Sequence, residues 1–86
     1  MITGKTTSGF EWEVKESVME DMEVLDLYAD VEDGKPYAGR LIRKVLGTDQ
    51  AKKLYDHVRL EDGTVPVEPL MSEFMEIMNS EPETKN

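Results

Sequence analysis

Residues 40–58 read RLIRKVLGTDQAKKLYDHV, and the fold turns on how that run is divided. Leu41, Ile42, Val45 and Leu46 recur at helical spacing, with Arg40, Arg43 and Lys44 on the opposite face. Ala51, Leu54, Tyr55 and Val58 form a second apolar stripe after the Gly47-Thr48 pair. Glycine ends helices because it takes the left-handed backbone at little cost. Threonine starts them because its hydroxyl can accept an orphan backbone N–H, and Asp49 beside it suits the positive helix end. The spacing therefore predicts two helices joined by two residues, which must turn sharply. Pro36 fits the first turn of the earlier one.

Working toward the N-terminus, Glu32-Asp33-Gly34 stops another helix, with Gly34 as its left-handed terminator. A calcium loop does not fit this stretch. Counted from Asp30, glycine falls at the fifth position and Leu41 at the twelfth, where a bidentate glutamate is needed. Ser17 followed by Glu20 reads as a capping box, so this helix is expected to run from Ser17 to about Val31. Val18, Met22, Leu25 and Ala29 line one face of it. Val24, Leu27 and Val31 make a second apolar strip on nearly the opposite side.

Before that helix, Phe10, Trp12 and Val14 alternate with Glu11 and Glu13, the two-residue period of a strand. With Ile2 to Thr6 as a first arm and Thr7-Ser8-Gly9 as the turn, the segment predicts a β-hairpin over about residues 2–14. Its Gly4-Lys5-Thr6 triplet also closes the phosphate loop of nucleotide hydrolases. That loop needs a glycine five residues earlier, a strand before it and a helix after it; three preceding residues leave no room for the glycine or the strand, and strand periodicity follows where the helix should be. Trp12 is expected in the core, on a strand face that helices cover.

Toward the C-terminus, Glu61-Asp62-Gly63 marks a turn. A last helix is expected from near Val67, with Pro69 in its first turn. Val67, Leu70, Met71, Phe74, Met75, Ile77 and Met78 spread over an arc wider than one core contact needs. Residues 80–86, SEPETKN, hold no apolar side chain and are expected to be a disordered tail. The expected fold is mainly α, at the margin of α+β. It is a compact bundle of about four short helices with an N-terminal hairpin, forming one domain over residues 1–79.

The 86 residues carry a net charge of −9. Residues 1–35 hold ten acids and three bases, residues 36–59 two acids and six bases, and residues 60–86 seven acids and one base. An acidic chain is poorly suited to phosphate contacts, and the basic middle is flanked by acidic segments. The segments either complement one another within the fold or solvate it. With no cysteine and one histidine, a zinc site is not expected. His57 has no serine or aspartate at a spacing that pairs it in sequence, and the carboxylates lie on solvated faces. Neither an enzyme nor a cofactor is expected. No apolar run is long enough for a membrane span and no signal peptide is evident, so a soluble, intracellular protein is expected.

Six methionines stand in the chain, and Met71, Met75 and Met78 share a face of the last helix. Methionine is flexible and polarizable, which suits a surface that takes varied partners, although it also fills ordinary cores. Two strips exceed what a small bundle must bury: Val24, Leu27 and Val31, and Met71, Met75 and Met78. These six residues are the candidate partner-binding positions. Self-association is as compatible with a surplus strip as a foreign partner is.

The acidic helix ESVMEDMEVLDLYADVED, the segment RLIRKVLGTDQAKKLYDHV, the DG turn with Thr-Val and the amphipathic LMSEFMEIM together span roughly residues 11–79. This arrangement resembles the tail assembly chaperones of tailed bacteriophages. The resemblance implies a non-enzymatic role in the host cytoplasm. Such a protein keeps the tail tape measure protein soluble, recruits tail tube subunits and is absent from the mature virion. Many members also have a longer, frameshifted form. The resemblance supplies no binding residues. Two other readings stay open. One is an acidic DNA mimic that inhibits a nuclease or restriction enzyme, resting on Glu13, Glu16, Glu20, Asp21, Glu23, Asp26 and Asp30. The other is a small helix-turn-helix DNA-binding regulator resting on Arg40, Arg43, Lys44, Lys52 and Arg59. Its recognition helix has only Gln50 as an adenine-reading amide.

Overall fold

The computed structural model describes residues 1–79, so the expectation of a disordered tail at 80–86 lies outside the described residues. The chain is mainly helical with an N-terminal hairpin. Strands β1 (Ile2–Lys5) and β2 (Glu11–Val14) precede a 3₁₀ turn (Glu16–Glu20) and helices α1 (Met22–Glu32), α2 (Ala38–Val58) and α3 (Val67–Asn79).

The hairpin forms where the alternation places it. β1 and β2 pair antiparallel, with Ile2 opposite Val14, Gly4 opposite Trp12 and Lys5 opposite Glu11. The inner face carries Phe10, Trp12 and Val14, all buried, and the outer face carries Glu11 and Glu13. Thr6 closes the turn three ways. Its N–H donates to the Phe10 carbonyl, its own carbonyl accepts from Gly9 N–H, and its hydroxyl accepts from Phe10 N–H. Gly4 explains its own presence. A Cβ there would lie 2.5 Å from Cζ2 of Trp12 and 2.8 Å from Cε2. The indole lies across the strand that faces it, and only a residue without a side chain leaves it room.

Among the described residues the expected count of about four helices becomes three. The two helices read on either side of Gly47 are the two halves of α2, which is kinked there. Gly47 has φ +84° and ψ 163°, far from helical values. The sharp turn is present, but it sits inside a single element. Its flanks supply most of the core: Leu41, Ile42, Val45 and Leu46 before the kink, Ala51 and Leu54 after it. α2 begins at Ala38, with Pro36 ahead of the helix and Tyr37 at the N-cap.

The first long helix starts later than its capping box suggests. Residues 16–20 wind as 3₁₀, and Asp21 breaks the path with an extended backbone at φ −84°, ψ 124°. Asp21 is the true N-cap of α1, its carboxylate accepting from Glu23 N–H at 2.8 Å. An aspartate beside the positive helix end outcompetes a serine one turn earlier, because it caps and adds charge at once. The other end stops at Gly34 (φ +90°). Lys35 N–H reaches back to the Asp30 carbonyl and Gly34 N–H to that of Val31, a Schellman closure.

α3 runs from Val67 with Pro69 in its first turn. Leu70, Phe74 and Ile77 are its buried stripe. Phe74 and Ile77 are fully enclosed with Leu41, Ile42 and Leu54, and these five side chains form the centre of the protein. No helix among the described residues is long and apolar enough to cross a membrane.

Candidate functional site

The two strips of α1 exchange the roles expected of them. Val24 is 3% exposed and belongs to the core, and Leu27 and Val31 pack partly buried against it. This strip faces α2 and is taken up by the fold. Of the opposite strip, Val18 lies in the 3₁₀ turn and packs partly buried against the core, and the other three residues are free. Met22 is 65% exposed, Leu25 is 52% exposed, and Ala29 lies exposed between them. α1 presents Val24 as its one buried residue. On α3, Met71 and Met78 are partly buried against the core and Met75 is half-buried. The methionine face is therefore the rim of the core, not a detached surface. Val67, on the same side, is 70% exposed because it stands at the helix start.

Carboxylates surround the free strip. Asp26 and Glu32 are exposed beside it. Glu23 and Asp21 turn toward α2, where Lys44 Nζ meets Glu23 at 2.9 Å and Asp21 at 3.8 Å. The hydrogen bond to Glu23 and then the charges of Glu23 and Asp21 raise the Lys44 pKa above its ordinary value. The acidic N-terminal third and the basic middle thus complement each other at this seam. A groove of about 570 Å³ runs along it, with Glu23 and Asp26 on one wall and Arg40, Arg43 and Lys44 on the other.

Three other basic residues of the middle segment, Lys52, Arg59 and Arg40, are also engaged. Lys52 and Arg59 both pair with Asp56, at 3.4 and 2.9 Å. The Arg59 hydrogen bonds lower the Asp56 pKa first, with Lys52 adding to them. Arg59 also donates to the Gly63 carbonyl at 2.8 Å. The Arg40 guanidinium lies 4.9 Å from the Tyr37 ring centroid. Gln50, the one amide that an adenine reader would use, is committed to β2. Its Nε2 donates to the Glu13 and Leu46 carbonyls at 2.7 and 2.9 Å, and its Oε1 accepts from Glu13 N–H at 2.8 Å. The side chain pairs with the free edge of β2 as a third strand would, and also donates to the carbonyl just before the Gly47 kink.

His57 acquires a partner that sequence spacing did not suggest. Its Nε2 lies 2.8 Å from Ser8 Oγ, in the hairpin turn, and its ring packs tilted against Phe10. Ser8 Oγ also donates to Glu73 of α3 at 2.7 Å. A carboxylate only accepts, so the serine proton points to Glu73 and the imidazole donates to the serine. That polarity is the reverse of nucleophile activation, in which the imidazole takes the serine proton. Thr7 completes the joint. Its N–H and hydroxyl both donate to Glu76, at 2.7 and 2.8 Å. The cluster ties the hairpin tip to α2 and α3. Among the described residues, no group of three or more histidine or carboxylate side chains is arranged to hold a metal ion.

No protein-family model matches the chain, and no curated protein or solved structure shows significant similarity to it.

Proposed function

We propose that this protein is a non-enzymatic assembly chaperone of the tailed-bacteriophage tail type. It acts in the cytoplasm of the bacterial host and is absent from the mature virion. It holds apolar helical segments of a long partner, the tail tape measure protein, in solution and recruits tail tube subunits to it. The observation that carries this reading is the α1 strip of Met22, Leu25 and Ala29. It stays exposed on a helix whose other face is already packed. Exposed apolar surface rimmed by charge favours association with a partner. The net charge of −9 keeps such a complex dispersed.

The test is co-expression with the tape measure protein encoded nearby. The soluble fraction of that partner rises when this chain is present. An equally insoluble partner with and without it ends the proposal.

A further inference from the structure

The free strip of α1 also carries information about what covers it. Met22, Leu25 and Ala29 stand at i, i+3 and i+7, within an arc of about 60° and a length of about 10 Å. That is two helical turns, the footprint left by one facing helix with its own i, i+3, i+7 anchors. Asp26 follows on one side of the arc and Glu32 on the other, both exposed and in no ion pair among the described residues. Their neighbours Glu23 and Asp30 are in ion pairs, with Lys44 and Lys35. Within α1 the carboxylates in no ion pair are thus the two that bracket the apolar residues, Asp26 also facing Arg40, Arg43 and Lys44 across the groove.

We propose that this strip is the docking site for a cationic amphipathic helix of a partner protein, with Lys or Arg on both sides of its apolar stripe. The inference rests on the chaperone reading for the identity of that partner, but not for its chemistry. Charge decides against a second copy of this chain. A twin α1 would bring Asp26 and Glu32 against their own images, and like charges across an interface oppose association. An uncharged apolar helix would cover Met22 and Leu25 but leave both flanking carboxylates without a partner charge. A cationic helix covers Met22 and Leu25 and pairs the flanks in the same act. The patch is small, so a single segment binds weakly, on the order of 10–100 μM. A long partner with several such segments gains by avidity.

The experiment uses the full chain and a two-heptad helical peptide of leucine and lysine, with the same peptide bearing glutamate for lysine as its counterpart. Amide shifts in an NMR titration locate the site. The lysine peptide is expected to move Met22, Leu25 and Ala29, and the glutamate peptide to leave them in place. Met22→Gln/Leu25→Gln keeps every charge and removes the apolar strip. It is expected to melt like the parent, since both side chains are exposed, and to bind at least about tenfold more weakly. Asp26→Lys/Glu32→Lys is expected to favour the glutamate peptide instead.

Three results overturn the docking site: undiminished binding by the glutamine variant, shifts centred away from α1, or concentration-dependent self-association that the glutamine variant abolishes. The two proposals fail separately. A tape measure protein solubilised equally by parent and glutamine variant removes this surface and keeps the chaperone. Peptide binding at α1 with no effect on the tape measure protein does the opposite.

Discussion

The hairpin and α1 are near neighbours in sequence, both amphipathic and both acidic on their polar sides, yet the fold engages them very differently. The hairpin buries Phe10, Trp12 and Val14 on one face. Side chains from elsewhere then hold it at two points: Gln50 along the edge of β2, and Glu73, Glu76 and His57 around the turn. α1 buries Val24 and is held at its start by a surface lysine. One element is a clamped part of the core. The other is a helix packed on α2 along one face, with an apolar side to spare. Segments with few buried contacts and exposed bonds open at low free energy, and surfaces that receive partners tend to be drawn from them.

The comparison breaks first at Trp12. Trp12→Ala removes the largest side chain from the clamped region and is expected to cost about 3–5 kcal/mol. That is a large share of a small domain's total stability, so the variant should be mostly unfolded by circular dichroism at 37 °C. A cooperative melt close to the parent's would mean that the hairpin is not core.

Gly4→Ala is subtler and more specific. The added methyl meets a rigid ring at 2.5 Å, so the indole or β1 must shift, at an expected 1–3 kcal/mol, an order-of-magnitude range for overpacking. Denaturant unfolding measures the loss, and a displaced Trp12 emission maximum would report where the strain goes.

Gln50→Ala tests the clamp at the edge of β2. Three hydrogen bonds are lost, two of them to exposed backbone that water can satisfy, so about 1–2 kcal/mol is expected. The amide of Glu13 should exchange with solvent faster than in the parent. An unchanged exchange rate would show that the side chain is an ornament on the edge.

The smallest effect belongs to α1. The Lys44 pKa is raised in the folded state. Its stabilising contribution is therefore fully present below the ordinary lysine value, about 10.4, and is lost as pH rises through the raised value. Hydrogen-bond-sensitive signals of α1 should loosen in that alkaline window before those of the hairpin. Lys44→Met should show the same loosening at neutral pH. If α1 is as protected as the hairpin in both, the contrast between the two regions is wrong.

Much of the fold was legible because its signals are local. The alternation over residues 10–14, Gly9, Gly34 and Gly63 at positive φ, and the stripes of α2 and α3 each depend on a few adjacent residues. Even Gly47 was read correctly as a break, although the helices on either side of it make up one kinked element. The errors fall where two local signals compete. Ser17 and Asp21 are both good caps, and one carboxylate settles it. That Val24, Leu27 and Val31 face inward was not legible for a different reason. The periodicity of α1 contains two apolar strips, and nothing within 11 residues says which one meets α2.

By itself, then, the sequence determined the kinds of element, their approximate ends, the inward face of the hairpin and the acidic character of the surface. These follow from backbone sterics and from side chains a few residues apart. Only the tertiary structure decided that Val24 goes in and Leu25 stays out, that Gln50 completes a strand edge, and that His57 and Glu73 meet at Ser8. Each of these is a contact between residues distant in sequence, or depends on one. Their separation along the chain carries no trace of their separation in space. The indole of Trp12 joins the two levels. Its burial was written in a two-residue period, while the gap it fills was written by a glycine on the other strand.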